Sequence, residues 1–248
     1  MEKNEMIFGI RAVIEAIEAG KEIDKILIRK ELQGDLAKEL FELIKGRGYL
    51  VQRVPVERLN RITRKNHQGV VAFISSVAYQ RLGDIVPTLF EEGKVPFIVL
   101  LDGITDVRNF GAIARTCECT GVDAIVVPER GSVSVNADAV KTSAGALLHI
   151  PVCRERSIHS AIRYLKDSGI RVVAASEKAA LNYTHVDYTL PVALVMGAED
   201  TGVDPDNLRL CDEMVAIPQV GSIGSLNVSV AAGVMMYEVV RQRLAEGE

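Results

Sequence analysis

The chain has 248 residues, 48% of them hydrophobic and 25% charged, with a formal net charge of −4. That length accommodates two domains, and the composition is that of a globular protein with substantial cores. No apolar run approaches the roughly 20 residues that cross a bilayer, the charged start Met1-Glu2-Lys3-Asn4-Glu5 lacks a signal-peptide block, and no repeat or low-complexity segment occurs.

Charge is distributed unevenly. Residues 1–78 carry 14 Lys/Arg against 11 Asp/Glu, a net +3, and the remainder carries −7. Within 45–67, Lys45, Arg47, Arg53, Arg58, Arg61, Arg64 and Lys65 face only Glu57, a basic footprint of the kind that phosphate binding requires. A solvated helix face is the alternative reading of the same residues. Cysteines at 117, 119, 153 and 211 form no CxxC pair and no Cys/His zinc spacing. They read as reduced thiols, which suits a cytoplasmic protein.

In chain order, Gly9 to Ile17 has helical spacing and ends at Gly20. Residues 25–29 read as a strand, and 35–45 as a helix with Leu36, Leu40, Leu43 and Ile44 on one face. Residues 49–54 and 70–75 read as further strands, so 1–77 forms a small mixed α/β domain. Residues 78–94, with Gly83, Pro87 and Gly93, read as a linker containing one short helix around 82–90. From 95 to 248 strands (96–101, 124–127, 171–175, 192–196, 214–217) alternate with helices (109–120, 157–168, 205–210, 226–244). That alternation predicts an α/β fold with a parallel sheet and crossover helices.

Three strands run into Gly/polar loops. The strand ending at Leu101 leads to Asp102-Gly103-Ile104-Thr105-Asp106-Val107-Arg108-Asn109-Phe110-Gly111, and that ending at Met196 leads to Gly197-Ala198-Glu199-Asp200-Thr201-Gly202. The last, Ile217-Pro218-Gln219-Val220-Gly221-Ser222-Ile223-Gly224-Ser225-Leu226-Asn227, opens a long apolar helix. Glycines let backbone approach a ligand closely, Ser225 is placed to cap the helix, and open α/β sheets bind small molecules at the carboxyl ends of their strands. Each loop alone is equally an ordinary turn; together they can line one pocket. GxSxG and GxGxxG are both absent, which disfavours a serine hydrolase and a dinucleotide fold.

The spacing NxxxxxR (Asn109 to Arg115), GxExxG (Gly197, Glu199, Gly202) and IPxxGxxxSLNVSVA (Ile217 to Ala231) resembles the SpoU, or TrmH-type, RNA 2′-O-methyltransferases of the SPOUT superfamily. Residues 5–75 resemble the small substrate-binding domain of the bacterial 23S rRNA guanosine-2′-O-methyltransferase branch. The resemblance implies a C-terminal SPOUT domain with a deep trefoil knot and an N-terminal domain similar to the L30e ribosomal-protein fold. It implies S-adenosylmethionine as cofactor, 23S ribosomal RNA as substrate, a homodimer through the knot region, and no metal. Unknotted connections are what general topology rules predict.

Residue by residue, the resemblance places Met196, Gly197, Ile217, Pro218 and Leu226 at the cofactor, and Asn109, Arg115, Glu199, Ser225 and Asn227 at the reaction. Arg61, Arg64, Lys65 and His67 are implied RNA contacts, the last within a His-Gln-Gly that the family shares. A guanidinium offers only donors and has a pKa above about 12. Arg115 is therefore read as gripping phosphate and stabilising a developing alkoxide rather than as a base. Gln219 stands where the third motif commonly has Met. Two rival readings are a tRNA ribose methyltransferase and a non-catalytic RNA-binding assembly factor.

Overall fold

The structure, a computed structural model, describes residues 6–246 and divides into two compact units. One takes the chain up to Ala78 together with Ser134–Asp138; the other takes Tyr79–Val133 and the chain from Ala139 onward.

The first unit contains β1 Met6–Phe8, α1 Ile10–Glu18, β2 Ile23–Arg29, α2 Asp35–Ile44, β3 Val51–Val54, α3 Val56–Ile62 and β4 Val70–Ile74. Its sheet has the order β1-β4-β2-β3, antiparallel except for the parallel β2–β3 pair. Strand side chains alternate between faces, so neighbouring residues serve two cores. Ile26 and Ile28 pack with Val13, Ile14, Ile17, Ala37 and Leu40 under α1 and α2, while Leu27 packs with Val54, Leu59 and Val71 under α3. The helix α3 was not expected from sequence; it is seven residues long and follows Pro55. Ser134–Asp138 joins this unit through the Ser134 hydroxyl, which donates to Asp24 Oδ2 (2.7 Å), and the Val135 carbonyl, which accepts from Ser76 N (2.9 Å).

The second unit continues with β5 Tyr79–Gln80, α4 Leu82–Glu91, β6 Phe97–Asp102, α5 Val107–Cys119, β7 Ala124–Pro128, α6 Ala137–Thr142 (which begins in the first unit), β8 Val152–Glu155 and α7 Ile158–Asp167. Then follow β9 Arg171–Ala175, β10 Leu181–Asn182, β11 Val192–Gly197, α8 Pro205–Leu210, β12 Glu213–Ala216 and α9 Val228–Glu246. Among the described residues the sheet has eight strands, all parallel, in the order β10-β12-β9-β11-β6-β7-β8-β5. The expected α/β fold is present, with five strands where they were read. The edge strands β5 and β10, and β8 next to β5, are additions, at most four residues long.

The stretch read as a linker forms β5 and α4, and Leu82 and Val86 are buried in the same core as Ile158, Ile162 and Leu165 of α7. On that face the strands contribute Ile98, Leu100, Val126, Val172 and Val195. Their alternates Phe97, Val99, Leu101, Val127 and Val173 are equally buried on the opposite face. There α5 packs on α9, and α9 on β11, with Cys117 Sγ 3.5 Å from Met236 Sδ. Burial pushes the Cys153 and Cys211 thiols up to about 12, so neither is a thiolate near neutrality.

The far end of α9 is held by Arg243. Its guanidinium donates to the carbonyls of Tyr188 (3.1 Å), Val95 (3.0 Å), Pro96 (3.2 Å) and Leu190 (3.2 Å) and lies over the Phe97 ring. These carbonyls belong to segments entering β6 and β11, so one side chain ties α9 to two central strands. Replacing Arg243 by Met keeps the apolar stem but strips all four acceptors. It is expected to lower unfolding free energy by about 2–4 kcal/mol, read as a lower urea midpoint.

Candidate active site

Parallel pairing aligns the carboxyl ends of the strands. In register, Gly197 of β11 stands opposite Asp102 of β6, Val195 opposite Ala174 of β9, and Ala175 opposite Val215 of β12. The loops that follow these four strands therefore start side by side. β6, β7 and β8 extend in chain order to one side of this point, and β11, β9 and β12 lie on the other, the arrangement that opens a crevice in α/β sheets.

A cavity of about 410 Å³ lies beside this point, beyond β9, β11 and β12, within the usual range of about 300–1,000 Å³ for small-molecule sites. Met196, Val215, Ile217, Leu226 and Val228 give it apolar walls, and Gly197 and Gly224 give it bare backbone. Ser225, Glu199 and Gln219 also line it. The Gln219 side chain folds back, its Nε2 donating to the Ile217 carbonyl at 3.1 Å.

Backbone requirements explain the glycines of the second loop. Ala198 and Gly202 exchange both backbone hydrogen bonds (3.1 and 2.8 Å), and Gly202 adopts φ 70°. A Cβ on Gly197 would overlap the Gly202 carbonyl carbon and the Val203 amide. Asp102 Oδ2 closes the turn by accepting from Asp204 N and Asn207 Nδ2, both at 2.9 Å.

Three expected site residues meet at Glu199, which lines the cavity; Asn109 and Asn227 are not among the lining residues. Asn109 Nδ2 donates to Glu199 Oε2 (3.1 Å), and Asn227 Nδ2 donates to Asn109 Oδ1 (3.1 Å) and to Glu199 Oε1 (3.3 Å). This closed triangle joins the first turn of α5, the β11–α8 loop and the start of α9. Asn109 is preset by Asp106, whose carboxylate caps α5 by accepting from Arg108 N (2.8 Å) and Asn109 N (2.9 Å).

The structure differs from expectation at several positions. The cap of α9 is Asn227, whose Oδ1 accepts from Ser229 N at 3.0 Å, not Ser225, because the helix begins two residues later than read. Ser225 is exposed at the cavity. Pro218 is exposed and is not among the cavity-lining residues. Arg115 is exposed and also outside the lining. At about 100° per residue, six residues carry it about 120° around α5 from Asn109, so the two leave different faces of the helix.

In the first unit Arg61, Arg64 and Lys65 are exposed as expected, but His67 is 8% exposed. Its Nδ1 accepts from Gly69 N (2.9 Å), which leaves Nε2 protonated to donate to Asn60 Oδ1 (2.9 Å). Both ring nitrogens are committed internally, so His67 shapes the Arg64–Gly69 turn and does not offer its ring to RNA.

Sequence reading missed Ala175, Ser176, Glu177 and Lys178, which line the cavity beyond β9. The signal was present: an apolar strand ending in a Ser-Glu-Lys step has the same form as the three loops, without their glycines.

Fold and cavity define an α/β protein with a small-molecule site at the carboxyl ends of its parallel strands. The model described as "SpoU rRNA Methylase family" matches residues 96–237, and that described as "RNA 2'-O ribose methyltransferase substrate binding" matches 6–80. The chain belongs to the SpoU rRNA methylase family. A Bacillus subtilis protein named as a TrmH family tRNA/rRNA methyltransferase is 34% identical over 100% of this chain and 99% of its own length. The AdoMet complex of the SpoU methyltransferase AviRb from Streptomyces viridochromogenes aligns with a TM-score of 0.62 and 26% identity, covering 97% of this chain and 90% of that one. An AdoMet-bound rRNA methyltransferase from Sinorhizobium meliloti aligns at 0.60 and 29%, covering 95% and 86%. The protein is an RNA methyltransferase that uses S-adenosylmethionine, and the trefoil knot follows from the fold it shares with these enzymes.

Gly197→Ala is expected to displace the β11–α8 loop and weaken S-adenosylmethionine binding at least about tenfold, measured by titration calorimetry. His67→Ala, which orphans the buried Gly69 N–H, is expected to cost about 1–3 kcal/mol in urea unfolding.

Proposed function

We propose that this enzyme methylates the ribose 2′-OH of a guanosine in 23S rRNA, working in the cytoplasm as a homodimer, with its cofactor in the cavity beyond β9, β11 and β12. The observation that carries the reading is the Asn109–Glu199–Asn227 triangle, which ties all three motifs together through Glu199, a residue that lines the cavity.

The donor set suits S-adenosylmethionine. Met196, Ile217 and Leu226 form an apolar slot for adenine, and the backbone around Gly197 can read the edge of the base. When bound, the cofactor supplies an electrophilic methyl group on a good leaving group. The chain's own residues then have to orient the ribose hydroxyl and stabilise it as its proton leaves. Asn109 and Asn227 hold the rim in one geometry, Glu199 fixes both amides, and Ser225 offers a hydroxyl at the cavity.

Arg115 reaches such a site from a second copy of the chain. Its neighbour Thr116 lies beside α9, where a Cβ on Gly233 would stand 3.9 Å from Thr116 Cγ2. On that side α9 exposes Val230 (51%) and Tyr237 (55%), with Val234 half-buried between them. An apolar helix stripe of this kind suits a two-fold interface. It would carry each Arg115 toward the partner's rim, where a planar fork can grip phosphate bidentately.

For RNA contact in the first unit, Arg61, Arg64 and Lys65 remain the assigned cations, on α3 and the turn that His67 supports. A substrate-binding module over 6–80 is the feature that favours rRNA. The relative named for both tRNA and rRNA supports tRNA as the second reading.

Methyl transfer from labelled S-adenosylmethionine to 23S rRNA and to tRNA, with mapping of 2′-O-methyl groups in cells with and without the gene, tests the substrate. One missing 2′-O-methylguanosine in 23S rRNA is expected; loss confined to tRNA selects the second reading. Arg115→Lys is expected to lower kcat/KM at least about tenfold. In co-expressed Arg115→Ala and Glu199→Ala chains, random pairing in a symmetric dimer restores about a quarter of wild-type activity. Two inactive parents and an inactive mixture would exclude the shared site.

A further inference from the structure

The Ser176–Lys178 segment beyond β9 lines the cavity opposite the β11–α8 loop, and together they give it three carboxylates, Glu177, Glu199 and Asp200, against one ammonium, Lys178. Both Glu199 oxygens are taken by the Asn109 and Asn227 amides, which fix the side chain in place. Among the described residues Glu177 and Asp200 take part in no hydrogen bond or ion pair, and both are exposed at the cavity. Ser176 shapes the segment: its backbone N–H donates to the Val215 carbonyl (2.9 Å), its hydroxyl accepts from Lys178 N (3.4 Å) and its carbonyl accepts from Ala179 N (3.1 Å). Glu177 is thereby displayed at the tip of a turn whose base is hydrogen-bonded to β12.

We propose that Glu177 and Asp200 make the cavity distinguish the charged methyl donor from its spent form, favouring S-adenosylmethionine over S-adenosylhomocysteine. The inference rests on the cavity being the cofactor site. The methyl group leaves the sulfur for the ribose oxygen, the S–CH₃ bonding pair stays on sulfur, and the hydroxyl proton passes to solvent. The sulfonium becomes a neutral thioether, so the cofactor's net charge falls from +1 to 0 while its shape hardly changes. An apolar slot cannot sense that difference; an excess of carboxylates can, because Coulomb attraction acts on the donor's extra positive charge and vanishes with it. Exposed charge pairs are each worth up to about a fivefold change in affinity. Two of them suffice to tilt exchange toward donor loading and product release without slowing either. Lys178 opposes the pair and limits the bias.

Calorimetric Kd values for S-adenosylmethionine and S-adenosylhomocysteine, measured on full-length protein at low and high salt, test this directly. In Glu177→Gln/Asp200→Asn the ratio of product Kd to donor Kd is expected to fall about five- to tenfold, through weaker donor binding with product binding unchanged. Lys178→Gln is expected to raise the ratio. Wild-type affinity for the donor should fall with ionic strength more steeply than that for the product. A ratio unchanged in the double variant, or equal salt slopes in the wild type, overturns the inference and leaves the cavity assignment standing. Wild-type protein that binds neither compound overturns that assignment, and the inference with it. Melting curves of the variants report whether they are folded.

Discussion

Glu199 accepts from two amides that belong to distant parts of the chain, Asn109 on α5 and Asn227 at the start of α9. The third edge of the triangle joins the two asparagines. Hydrogen bonds at a solvent-facing rim are individually modest, about 1 kcal/mol, so the triangle depends on how well each corner is preset. Asp106 caps α5 under Asn109, the Ala198–Gly202 pair and Asp102 hold the Glu199 turn, and Asn227 is oriented by capping α9. Each corner is stiffened by its own local bonds before the triangle closes. Preorganisation of this kind lets a site orient reactants without reorganising during the reaction.

The sheet supplies the second constraint. Eight parallel strands direct their carboxyl ends the same way, and the β6–β11 register brings the first and second motif loops together at Asp102 and Gly197. Helix α9 then runs from the rim, where Asn227 begins it, to Arg243, which grips four carbonyls ahead of β6 and β11. The same helix contributes Val228 to the cavity, Met235, Met236 and Val239 to the core, and Val230 and Tyr237 to an exposed stripe. Cavity wall, packing and proposed pairing surface are thus carried on one rigid element, so a change in any of them is felt by the others.

Charge separates the two units by task. The first has the positive balance and exposes Arg61, Arg64 and Lys65 around a turn that His67 and Gly69 hold from inside. The second is acidic overall, and its cavity concentrates carboxylates where the proposed cofactor is cationic. A negative total is therefore compatible with RNA as partner, because phosphate binding depends on local cation density and not on the sum.

Local patterning determined a large part of this molecule. The 3.6 and 2.0 periodicities placed α1, α2, α5, α7, α9 and the five central strands, since their apolar faces are buried by the elements themselves. The three Gly/polar motifs were legible because glycines at close approaches leave a spacing that can be read, and the structure joins them through Asn109, Glu199 and Asn227. Tertiary structure decided what no local pattern encodes. Short strands such as β5 and β8 are ordered by packing and not by propensity. Ser134–Asp138 joins the first unit through Asp24 and Ser76, far away in sequence. His67 turned inward because both ring nitrogens found partners, and Asn227 became the cap because α9 starts later than its apolar run. Arg115 and Asn109 share a motif but not a face of α5. Spacing along a chain specifies which residues recur together; the rotation of the helix that carries them determines which face each one takes.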